Sequence, residues 1–145
     1  MHPESPCRMC QAHQLARFMH AHPDPAFHRI HWPTIIRDAH NPRKWFLVDW
    51  DGSSTSPTKA AIHLNARSHS PAVFKDNHGA EVDIWAVGKL IVDAVTFTSD
   101  IPAALVEVGK RMIEGWVTTA TQGLVEIQSV IFVIVPYISK RGVQS

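Results

Sequence analysis

Residues 81–94 read Glu81-Val82-Asp83-Ile84-Trp85-Ala86-Val87-Gly88-Lys89-Leu90-Ile91-Val92-Asp93-Ala94. Apolar side chains at Val82, Ile84, Trp85, Ala86, Val87, Leu90, Ile91, Val92 and Ala94 run nearly all the way round a 3.6-residue helix. That pattern predicts a helix buried on most of its surface, hence the centre of a core. C-terminal to it, Ile101, Leu105, Val108 and Met112 fall at i, i+4, i+7 and i+11 around Pro102, and Gly115 stands where that helix should stop. Thr119 and Gln122 have capping-box spacing ahead of a Leu124, Ile127, Ile131 stripe, which predicts a third helix. Beyond Ile131 the residues are β-branched, include Pro136 and end in the polar Lys140–Ser145, so 132–145 reads as a fraying tail.

N-terminal to the central stretch the signals are shorter. Trp45-Phe46-Leu47-Val48 is a compact β-type run, preceded by Pro42 and followed by Asp49-Trp50-Asp51-Gly52. Residues 28–36 read as a mixed loop, with the Trp32-Pro33 step disfavouring helix at Trp32. Residues 53–79 are rich in Ser, Thr, Pro, Asn and His, too long for a simple connector, and read as an open surface segment. Its Ser53, Ser54, Thr55, Ser56 and Thr58 suit either phosphorylation or plain solvation, and His63, His69 and His78 read as loop histidines. Leu15, Phe18 and Met19 predict a short helix over 11–21, ended by His22-Pro23-Asp24-Pro25, behind a disordered arm at 1–10.

Composition bounds the function classes. With 145 residues, 45% hydrophobic and 19% charged, the chain has material for one core, not two. A net charge of +1 and the lack of basic stripes interleaved with aromatics argue against a nucleic-acid partner. The longest apolar run, Val130 to Val135, is far short of the roughly twenty residues a membrane helix needs, so no membrane partner is expected. Two cysteines are too few for a secreted disulfide scaffold, and an intracellular protein, cytoplasmic or nuclear, is expected. Cys7-x-x-Cys10-x-x-His13, with His2, His20 or His22 as a fourth ligand, has zinc-ligand spacing but lacks the second cluster of structural zinc sites; a reduced, exposed arm is the alternative.

Four segments carry a further signal through their order. They are Phe27-His28-Arg29-Ile30-His31-Trp32-Pro33-Thr34-Ile35-Ile36, Phe46-Leu47-Val48-Asp49-Trp50-Asp51, His69-Ser70-Pro71-Ala72-Val73-Phe74 and Asp83-Ile84-Trp85-Ala86-Val87-Gly88. In that order they resemble the protein-kinase catalytic loop, the metal-binding Asp motif, the end of the activation segment and the start of the buried helix. Trp32-Pro33 and Asp49-Trp50-Asp51 are most similar to fungal-type protein kinases. The resemblance implies a mainly α fold over 11–131: a kinase-like C-terminal lobe of helices, a short β-hairpin and a long open activation-type segment, without an N-lobe.

For function, the resemblance implies transfer of the γ-phosphate of ATP to Ser or Thr of a protein substrate, with ATP and Mg²⁺ as cofactors. Asp49, Thr34 and Asp51 would hold the metal, and His31 would face the γ-phosphate. His28, Arg29 and Asp83 would brace the loop, Trp85 and Gly88 would open the buried helix, and Ser70-Pro71 would close the activation segment. An Asp at position 83 is also favoured simply by the helix dipole. The departures are as specific as the matches. Ile30 follows His28-Arg29 where the catalytic Asp belongs, Ala72 stands where a Glu belongs, and neither a G-x-G-x-x-G loop nor a Val-Ala-x-Lys strand precedes His28. A degenerate or inactive kinase-like domain is therefore expected. The alternatives are a catalytically dead, pseudokinase-type module that docks a partner or self-associates through the exposed inter-lobe face, and a fragment with no stable fold.

Overall fold

The computed structural model describes residues 25–26, 30–41 and 44–141. The fold is mainly helical. Among the described residues it has three α-helices, α1 (Glu81–Ala94), α2 (Ala103–Ile113) and α3 (Ala120–Arg141), and four short strands, β1 (Pro25–Ala26), β2 (Ile35–Arg37), β3 (Trp45–Leu47) and β4 (Ser54–Thr55). The helix over 11–21, the 1–10 arm and the Cys7, Cys10, His13 set lie outside the described residues.

Helix α1 spans the residues its apolar pattern predicts. Glu81 and Asp83 sit in its first turn, where negative charge suits the helix dipole, and the Gly79 amide donates to both Glu81 carboxylate oxygens at 2.9 Å. Ile84, Val87, Leu90 and Ile91 are buried against Leu105, Val108 and Met112 of α2 and Ile127 of α3. Helix α2 ends as its glycine predicts. The Trp116 amide donates to the Arg111 carbonyl at 2.9 Å and the Gly115 amide to that of Met112 at 3.3 Å, a Schellman closure with Gly115 at φ 81°.

At the start of α3 the Gln122 amide donates to Thr119 Oγ1 at 3.1 Å, while Gln122 Oε1 accepts from the Thr118 amide, one residue before the position the capping box would use. Helix α3 continues past Ile131 and through Pro136 to Arg141, into the stretch expected to fray.

Strands β2 and β3 pair antiparallel in the register Ile35↔Leu47, Ile36↔Phe46 and Arg37↔Trp45. Ile35 and Leu47 pack on the core, whereas Ile36 and Phe46, 46% and 40% exposed, share the opposite face. The loop expected up to Ile36 is thus a 3-10 turn at Trp32–Thr34 followed by a strand.

The open segment expected over 53–79 is also corrected, because it closes on itself. β4 pairs with β1, the Thr58 amide donates to the His78 carbonyl and the Asn77 amide to the Thr58 carbonyl, both at 2.8 Å, and the Ala61 amide reaches the Val73 carbonyl at 2.8 Å. Val73 and Val82 form a second small apolar cluster beneath it, with Ala61, Leu64, Ala72 and Phe74. His78 is buried, its Nδ1 donating to the Lys75 carbonyl at 2.7 Å and its Nε2 hydrogen-bonded to Thr58 Oγ1. It is not the loop histidine its sequence neighbourhood suggests. Among the described residues no helix is long and apolar enough to cross a membrane.

Candidate functional site

The hairpin brings two of the sequence-predicted site segments side by side. Beyond the Ile35↔Leu47 pair, the Val48 amide donates to the Thr34 carbonyl at 2.9 Å, so Thr34 and Asp49 lie at the same end of the two strands. His31 precedes the 3-10 turn that enters β2 and is half-buried. Thr34 is 4% exposed; its Oγ1 accepts from the His31 amide at 3.2 Å and donates to the His31 carbonyl at 2.9 Å. The hydroxyl therefore holds the loop together.

Asp49 is exposed and has φ 67°, ψ 59°, the left-handed region, after which Trp50–Gly52 turns as a 3-10 helix. The Trp50 indole donates to the Leu47 carbonyl at 2.9 Å and ties that turn to the strand. An extended backbone would have put Asp51 on the same side as Asp49. The strand ends at Leu47 instead, and the tight turn replaces that alignment. Of the three residues the resemblance gives to Mg²⁺, Asp49 and Asp51 are exposed, whereas Thr34 is buried with its hydroxyl bonded to the His31 amide and carbonyl. Among the described residues no group of three or more His, Cys, Asp or Glu side chains is arranged to hold a metal ion.

The remaining predicted residues have structural places. Asp83 is 1% exposed in the first turn of α1, Trp85 is half-buried against the core, and Gly88 lies where α1 meets α2. Ser70 is buried and caps the 3-10 turn Pro71–Phe74, its Oγ accepting from the Ala72 amide at 3.2 Å. His28 and Arg29 lie outside the described residues. Sequence reasoning missed two partners. Gly109 of α2 is the backbone on which Gly88 rests, and His69, grouped by sequence with His63 and His78, instead stands with its ring centroid 6.5 Å from that of His31. No local signal announces either pairing, because each joins elements far apart in sequence.

Fold and site together define a mainly helical domain in which a short hairpin sets a His31–Thr34 loop beside an acidic Asp49-Trp50-Asp51 turn. No protein-family model matches the chain, and no curated protein or solved structure matches it either.

Proposed function

We propose that this chain is a protein-kinase-like C-terminal lobe of the fungal type in degenerate form, with Asp49 as its remaining ligand for Mg²⁺·ATP. The observation that carries the reading is the backbone of Asp49. A left-handed conformation is uncommon for a residue with a side chain, Asp and Asn adopt it more readily than the others, and such positions concentrate at functional sites. Asp49 adopts it at the strand end nearest Thr34, in the sequence position the kinase resemblance gives to the metal-binding carboxylate. In this reading His31 faces the γ-phosphate, and the resemblance gives His28 and Arg29 the part of bracing the loop. An intracellular setting goes with this reading, since it supplies ATP and keeps Cys7 and Cys10 reduced.

Catalytic transfer to a protein Ser or Thr is weak or absent in this reading. Ile30 replaces the general base, and the Thr34 hydroxyl is committed to His31. The test is a thermal melt with and without Mg·ATP, in the wild type and in Asp49→Asn. Asparagine tolerates the left-handed conformation, so this variant removes the charge while keeping the turn. At a hundred times its dissociation constant the nucleotide adds about 2.7 kcal/mol to the stability of a binding protein. The expected result is a midpoint raised by several degrees in the wild type and unmoved in Asp49→Asn. A wild-type midpoint indifferent to Mg·ATP overturns the reading.

One observation favours the second reading, a non-catalytic docking module. Ile36 and Phe46 form an exposed cross-strand apolar pair on the hairpin face turned away from the core. That reading predicts an ATP-indifferent melt together with self-association that Ile36→Ser and Phe46→Ser reduce in sedimentation velocity.

A further inference from the structure

Helix α3 outruns the core it packs on. Leu124, Ile127, Val130 and Ile131 lie against the main cluster, and among the described residues Ile131 is the last of the helix to do so. The helix then runs on through Phe132-Val133-Ile134-Val135-Pro136-Tyr137-Ile138, a stretch without a charge, to Ser139-Lys140-Arg141. Phe132 and Val133, at its start, are 74% and 76% exposed, and Val125, one heptad before Phe132, is 58% exposed. An apolar helix end of this kind calls for cover. The charges that flank it show what fits. Glu126, Val133 and Lys140 are one heptad apart from each other, so they follow one line along the helix, with an acid before the apolar stretch and a base after it. Arg111 and Gln122 reach Oε1 of Glu126, at 3.2 and 3.3 Å, while Oε2 is turned inward with no hydrogen-bond partner among the described residues. The terminal torsion of a glutamate is soft, so that second oxygen can turn to a further cation.

We propose that the C-terminal half of α3 is a dimerisation surface whose occupant is the same helix of a second copy of this chain, antiparallel and crossing at Val133. In a two-fold pair, residues equally far from the axis on either side meet, and each contact is made twice. With the axis at Val133, Glu126 meets Lys140 of the partner subunit, and Lys140 meets the partner subunit's Glu126. Phe132 and Val133 of both copies are covered at the centre. A parallel pair would set Glu126 against Glu126 and Lys140 against Lys140, so the order of the charges selects the antiparallel direction. The acid and the base stand at equal distances from Val133, which makes the surface complementary to itself. It shares no residue with the Ile36 and Phe46 pair or with Asp49, so it stands or falls apart from both readings of function.

The test is sedimentation velocity of the full chain over a series of concentrations. The wild type is expected to pass from monomer to dimer as concentration rises. Val133→Asp should raise the dimer Kd by at least about tenfold. Lys140→Glu should raise it roughly 2–30-fold, for two exposed pairs lost per dimer. Adding Arg111→Glu and Glu126→Lys, which reverse the in-chain pair and keep it, to Lys140→Glu should restore the dimer. Direction is read by oxidative crosslinking in a Cys7→Ser/Cys10→Ser background. Val133→Cys, on the axis, should form an intermolecular disulfide. Val125→Cys should not, because at about 1.5 Å per residue the two copies of position 125 stand about 24 Å apart in the antiparallel pair. A chain that stays monomeric at every concentration, a dimer that Val133→Asp leaves intact, or disulfides formed equally well at both positions overturns the proposal. If Val133→Asp loses its melt, the crosslinking pair decides, since each cysteine replaces an exposed valine with a side chain of similar size.

Discussion

A Cβ built on Gly88 would meet the Gly109 carbonyl oxygen and Met112 Cβ, both at 2.6 Å. Neither atom is the free end of a flexible side chain, so Gly88→Ala must push α1 and α2 apart. Overpacking of this kind costs about 1–3 kcal/mol, read as a lower urea midpoint. Gly123 is the control. Its added Cβ would press at 2.7 Å on Met112 Cε, a mobile methyl, while alanine gains up to about 1 kcal/mol of helix propensity. Gly123→Ala is expected to leave the midpoint unchanged or raise it. Charge matters at Asp38, in the hairpin loop. The His40 amide above all, and then that of Asn41, donate to Asp38 Oδ1 at 2.8 and 3.1 Å and hold its carboxyl below the ordinary Asp value. A depressed folded value stabilises the loop above the ordinary carboxylate range, and the contribution is lost as pH falls through the lowered value. Carboxyl ¹³C titration should give Asp38 a midpoint below that of a model Asp, and Asp38→Asn should abolish the matching acid shift of the His40 amide.

Among the elements, the closed segment over 53–79 depends most on single side chains. Thr58→Val removes the hydroxyl that pairs with buried His78 Nε2, and a buried polar group deprived of its partner costs about 1–3 kcal/mol. The expected result is faster amide exchange at Thr58 and Asn77, whose amides bridge the segment, with α2 protection unchanged. Unaltered exchange at both would mean that the backbone bridge holds the segment without the side chains. This closure was not legible in the sequence, since Thr58 and His78 lie twenty residues apart and a polar, proline-rich stretch advertises only exposure. The helices were legible because each carries its own signal. α1 is apolar all round, α2 has its stripe and Gly115, and α3 has Thr119 and Gln122. The end of α3 was less legible, because Pro136 and the β-branched residues before it advertise a helix stop, whereas the helix runs on to Arg141. At the site, Asp49 stood out from its motif. The retirement of the Thr34 hydroxyl into the His31 backbone and the departure of Asp51 from strand geometry follow from a 3-10 turn on each strand, which residue type alone does not specify.

At the scale of the whole molecule, α1 serves two apolar clusters at once. Its first turn gives Val82 to the small cluster with Val73, and from Ile84 onward it joins the main core that runs from Ile30 to Ile127. The two clusters differ in what depends on them. Ile127 is 0% exposed and ties α3 to the other helices, so Ile127→Ala opens a cavity that the whole fold feels. Such truncations cost about 2–5 kcal/mol, a large part of the 5–15 kcal/mol that holds a domain together. Val73 is equally buried, but its neighbours belong mostly to the segment over 53–79, so Val73→Ala should release that segment and leave the helices in place. The measurement is a thermal melt paired with limited proteolysis. Ile127→Ala should lower the midpoint by roughly ten degrees or more, at about 2–8 °C per kcal/mol. Val73→Ala should move it far less, while cleavage within 53–79 speeds up. If Val73→Ala lowers the midpoint as far as Ile127→Ala does, the clusters melt as one core through α1, and the closed segment is a working part of the fold's stability instead of a cover laid over it.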